Sequence, residues 1–144
     1  ASSGVSVSPT LVMMKKLVEH FPAPMKPRRI TYANPVAAVG SLRGASVRLL
    51  AGTDANSDPA APNMIEHGAS LHDELALLVQ AGLTPSEAIT AATASSADAF
   101  GLTDRGRVDD GLRADLLLVD GDPIVDILAT RNIKKVWIAG EEVR

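Results

Sequence analysis

The sequence predicts an α/β fold, and three observations carry the prediction. Apolar runs of strand length, "GVSVSP" and "SVRLLAG", alternate with longer stretches patterned for helices. The helical stretches are punctuated by recognisable start and stop residues. After Gly101 the pattern changes to short apolar segments divided by Gly/Asp turns, as in a small all-β unit. The first hundred residues thus read β-α-(loop)-α-β-(loop)-α-α, the order of two successive βα units of a parallel sheet. Residues 1–100 are assigned to those units and residues 101–144 to the β segment.

Each element follows from its residues. Gly4 to Pro9 alternates like a strand and stops at a proline, which cannot donate in a sheet interior. "TLVMMKKLVEHF" places Leu11, Met14, Leu17 and Val18 on one helical face, with the methionines as core filler. The prolines of "PAPMKPRR" then forbid a helix. Asn34-Pro35 reads as an N-cap followed by proline in the first turn, with the helix ending near Gly44. "SVRLLAG" is a buried strand leading into Thr53-Asp54, and "DANSDPAAPNM" is a polar loop. A helix from about Ser70 is closed by Gly82. Thr84, Pro85 and Glu87 form a capping box for the next helix, and a short one from Ser95 or Ser96 ends at Gly101. The run between Asp115 and Asp120 has the continuous apolar character of a strand buried on both faces.

Composition narrows the classes of function. A chain of 144 residues with 46% hydrophobic content and mean hydropathy +0.12 supports one compact core. Aromatics supply only 3%, so the core is built from Ala, Val, Leu and Ile. The net charge of -3 leaves no electrostatic footprint for nucleic acid, and no basic amphipathic helix points to a membrane surface. No apolar run approaches the roughly 18 residues of a membrane span, and the start lacks the features of a signal peptide. Without cysteine there are no disulfides or thiolate metal sites, and the expected location is cytoplasmic.

The chemistry-bearing candidates are few. Asp54 follows an apolar strand and a Gly-Thr pair, the position where α/β folds gather functional side chains. An aspartate that merely turns its own backbone is the alternative. His67 and His72 are spaced i, i+5, so they do not share a helix face, and with Asp54 alone they fall short of a self-contained zinc site. His67 is read as a loop residue lining a mouth, and His20 as a helix-terminal cation. No P-loop, dinucleotide fingerprint, EF-hand or nucleophile elbow is present.

Taken together, "GTDA", then "HG", "LHDELALLVQAGLTPSEAITAATASSADAFGL", "GRVDDGLRADLLLVDGDPIVDI" and "IKKVWIAGEEV" resemble the C-terminal part of the amidohydrolase superfamily. The branch they look most like is imidazolonepropionase-like and prolidase-like, and the likeness runs from about Gly4 to Arg144. It implies the last two βα units of a metal-dependent (β/α)8 barrel plus part of a small β-sandwich. It also implies hydrolysis of C–N bonds in small amides, cyclic amides or dipeptides. Asp54 would be metal ligand and general base, shuttling a proton from the attacking water, and His67 would contact substrate. The family's other ligands, an H-x-H pair, a carboxylated Lys or Glu and two further histidines, have no counterpart in this chain. A divalent metal, zinc by expectation, is therefore implied only when the missing strands are supplied. The expected partner is a companion chain carrying those strands, with this chain inert alone. The competing expectation is a non-catalytic remnant that self-associates through exposed strand edges and acts as a binding or structural module.

Overall fold

The computed structural model describes residues 4–20, 31–56 and 64–143. The proline-rich segment and most of the polar loop after Asp54, two of the sequence-based expectations, lie outside them. The element order is β1 (Ser6–Val7), α1 (Leu11–His20), α2 (Ala33–Gly44), β2 (Arg48–Leu49), α3 (Ala69–Gln80), α4 (Pro85–Ala92) and α5 (Ala94–Ala99). The tail adds β3 (Leu116–Val119), a 3-10 turn (Ile127–Arg131), β4 (Ile133–Ile138) and β5 (Glu141–Glu142).

β1 and β2 pair in parallel, Ser6 opposite Arg48 and Val7 opposite Leu49. The helices between them make the crossover that parallel pairing requires. Side chains alternate across a strand. Val7, Leu49 and Ala51 pack on the helical core, so Ser6, Ser8, Arg48 and Leu50 occupy the opposite face. Leu11, Val39, Ile65 and Leu78 are almost fully buried at the centre of that core. α3 is its hub and packs against α1, α2, α4 and the 3-10 turn.

Two expectations about helices are corrected. In α1 the buried residues are Leu11, Val12 and Met13, while Met14 is exposed. The first turn is inserted end-on because both carboxylate oxygens of Glu74 hold it there. Oε1 accepts from the Leu11 N–H at 2.9 Å and Oε2 from the Val12 N–H at 2.8 Å. In α2 the helix starts earlier than predicted, with Tyr32 at the cap position, and Asn34 lies in the first turn, accepting from the Thr31 hydroxyl at 3.1 Å. The capping box of α4 is as expected: Glu87 N–H donates to Thr84 Oγ1 at 3.2 Å and Thr84 N–H to Glu87 Oε2 at 2.7 Å.

β3, β4 and β5 form an antiparallel sheet in that order. Ala139 and Gly140 join β4 to β5 with φ of 53° and 86°, the left-handed pair of a two-residue hairpin. The prediction that the Asp115–Asp120 run is buried on both faces does not hold. Leu117 and Leu118 are 49% and 46% exposed, because β3 is an edge strand and no second layer of described residues covers the sheet.

Candidate functional site

Asp54 lies exposed, five residues beyond Leu49, the last residue of β2. Its φ of +55° is left-handed, a region aspartate enters more readily than most residues, so the chain turns sharply there. The end of β1 mirrors it: Thr10 has φ +46°, an unusual state for a β-branched residue. Backbone outliers of this kind cost about 1–3 kcal/mol each and cluster where function demands a fixed geometry. Thr10, three residues past β1, and Asp54, five past β2, thus both take a left-handed backbone, as do Ser46 and Ala139 elsewhere in the chain.

His67 sits exposed in the turn that starts α3, and its carbonyl accepts from the Ala69 N–H at 3.0 Å. The Asn56 N–H donates to the Ile65 carbonyl at 3.1 Å, which closes the base of the intervening loop. Asp54, two residues before that closure, and His67, two residues after it, therefore flank the base of the same loop.

His72 does not join them. Its Nδ1 lies 3.0 Å from Thr130 Oγ1, and the Thr130 hydroxyl donates to the Ile127 carbonyl at 2.8 Å. With that hydroxyl proton committed, Nδ1 is the donor to Thr130. Burial lowers the His72 pKa, as does the Arg131 guanidinium, against an opposing effect of Asp73. An Arg131–Asp73 ion pair sits beside it, so this end of α3 is bolted to the 3-10 turn of the tail.

Sequence reasoning missed Glu74, which is fully buried. Burial pushes its carboxyl up, and the N–H groups of Val12 and Leu11 oppose that rise. The signal was present: Glu74 falls between Ser70 and Leu78 at i, i+4 spacing, a charge on the buried stripe of α3. Nearby, burial and the charges of Glu74 and Glu19 push the Tyr32 hydroxyl up to about 12.

A divalent ion needs several convergent donors. Among the described residues no group of three or more His, Asp or Glu could hold one. Asp54 is a single carboxylate on a turn, so these residues do not by themselves fit a metal. Among them, no helix is long and apolar enough to cross a membrane.

Comparison with known proteins agrees with this geometry. The chain is 36% identical over 115 residues to an imidazolonepropionase of Deinococcus deserti, covering 76% of this chain and 27% of that one. It is 36% identical over 84 residues to adenine deaminase 2 of Desulfotalea psychrophila, covering 58% of this chain and 14% of the relative. A solved Xaa-Pro dipeptidase with bound methionine superposes with a TM-score of 0.82 at 23% identity, over 98% of this chain and 35% of that one. A putative prolidase from Bifidobacterium longum superposes at 0.75 with 27% identity, over 96% of this chain and 35% of its own. The chain thus spans about a third or less of the length of each. These neighbours agree with a partial (β/α)8 barrel followed by a small sheet. The profile of the amidohydrolase family matches residues 3–143, and the chain belongs to that family.

Proposed function

We propose that this chain is the C-terminal part of a metal-dependent amidohydrolase that cleaves C–N bonds in small amides, cyclic amides or dipeptides. The observation that carries the reading is Asp54: a carboxylate on a left-handed turn in the segment that follows a parallel strand, in a chain of this family. In this role Asp54 takes a proton from the attacking water and delivers it to the departing nitrogen. His67, at the other foot of the loop that follows Asp54, contacts substrate in this reading. A divalent metal, zinc in our reading, would be held only jointly with ligands from the remaining strands. These residues are accordingly inert without those strands, which in this reading a companion chain supplies.

Native mass spectrometry of the protein from its source, with bound ions resolved, tests this. A complex with a larger chain and one or two zinc-mass ions is the expected result. In that complex Asp54→Asn should abolish hydrolysis of methionyl-proline, hydantoin and N-acetylmethionine, one member of each substrate class. A metal-free species of 15.0 kDa or its simple multiples would overturn the proposal and favour a self-associating binding module.

A further inference from the structure

The end of β1 carries a polar side chain to which neither the sequence pattern nor the family resemblance gives a role. Ser8 lies one residue beyond β1 on the face shared by Ser6, Arg48 and Leu50, away from the helical core. Its hydroxyl occupies the space over Gly52, where an added Cβ would stand 2.4 Å from Ser8 Oγ. Gly52 is two residues before Asp54, so the serine hydroxyl packs on the segment that leads into the turn carrying the carboxylate. Ser8 is exposed, in the segment between β1 and Thr10.

The ordinary use of a serine just before a helix is to accept from the first free N–H groups. Here the Leu11 and Val12 N–H groups are already taken by Glu74. Ser8 also stands three residues before Leu11, outside the cap position, so that role is not its own. The glycine, for its part, is explained by the serine: φ at Gly52 is not in the left-handed region, so conformation alone does not demand it.

We propose that Ser8 is a substrate-contacting residue of the Asp54 site, seated by Gly52 and hydrogen-bonding a polar atom of the amide substrate. The inference rests on the hydrolase reading above and adds a second strand to its site. As one neutral hydrogen bond it acts on binding, with an expected threefold to tenfold effect, about 0.5–1.5 kcal/mol.

The test is a double-mutant cycle on the metal-loaded complex, using whichever of methionyl-proline, hydantoin and N-acetylmethionine the wild type hydrolyses. Ser8→Ala should raise KM threefold to tenfold, with kcat within twofold and metal content unchanged. Gly52→Ala should raise KM comparably by displacing the hydroxyl. With Ser8→Ala in place the nearest side-chain atom to a new Cβ is the residue-8 Cβ, 3.6 Å away and an ordinary contact. The double variant should therefore match Ser8→Ala alone. An unchanged KM in Ser8→Ala overturns the inference while leaving the hydrolase reading intact, and a Tm shift without a KM shift makes the serine structural and does the same. A wild-type complex that hydrolyses none of the three probes brings down both.

Discussion

Replacing Glu74 probes the strongest link in the helical core. Its carboxylate is the acceptor for two buried N–H groups 62 and 63 residues away in sequence, at 2.8 and 2.9 Å. Glu74→Ala strands both donors. Each unmet buried donor costs about 1–3 kcal/mol. Against that stands relief from burying a carboxylate, which takes several kcal/mol to desolvate. Losing one partner of a buried, hydrogen-bonded charge is usually the larger effect, about 3–5 kcal/mol. The expected net loss is about 2–4 kcal/mol, because here the stranded groups are neutral amides rather than an opposite charge. Glu74→Gln keeps the shape and one acceptor but points an NH₂ group at the second N–H, and should cost about 1–2 kcal/mol. The pH dependence separates charge from shape. The folded pKa of Glu74 is raised above its ordinary 4.5, so ionisation opposes folding. The stabilisation is fully present below the unfolded pKa and is lost as pH rises through the folded value. Urea denaturation followed by circular dichroism should show the wild-type advantage over Glu74→Gln shrinking from pH 4.5 upward. An advantage that grows over that range, or an alanine variant within about 0.5 kcal/mol of wild type, would refute the reasoning.

Other parts of the chain make separate expectations. Thr84→Ala removes the acceptor for the Glu87 N–H and should cost about 1 kcal/mol in thermal melts, leaving the Arg43–Glu87 ion pair in place. The lowered pKa of His72 means the unfolded chain binds the extra proton first, so acidification from about 6.5 down through the folded value should lower Tm. His72→Gln should flatten that dependence in melts at graded pH. Gly106→Ala would set a Cβ 2.6 Å from that of Ala97 on a backbone with φ +88°, and should cost about 2–4 kcal/mol by urea midpoint. A loss below about 0.5 kcal/mol at Gly106 would count against the packing of the tail on α5.

Local features of the fold were the legible ones. The capping box at Thr84 and Glu87 depends on residues three apart, and Gly82 ends its helix at φ +107°; both could be read from the sequence. The parallel pairing of β1 and β2 followed from the alternation of strand-like and helical stretches. What failed depended on partners distant in sequence. Met13 is buried in place of Met14 because Glu74 fixes the first turn of α1, and no window of that helix contains Glu74. Leu117 and Leu118 have the composition of a strand covered on both sides, but burial is a property of the layers that cover a strand. For the proposed site, the candidacy of Asp54 rests on its place after an apolar run. Ser8 was not, because its position depends on the register between strands rather than on either strand alone.

The Glu74 bridge also bears on how the chain folds. The start of α1 acquires its hydrogen-bond acceptors from a residue made more than sixty positions later. A ribosome emitting the chain at about 5–20 residues per second would expose the β1–α1 unit for several seconds before its clasp arrives. During that interval the first turn of α1 must take its acceptors from solvent, and the apolar residues beside it have no cover from α3. Arrival of α3 then closes both units at once. The order of synthesis makes the earlier unit the dependent one, and a chain truncated before residue 74 should leave α1 unanchored.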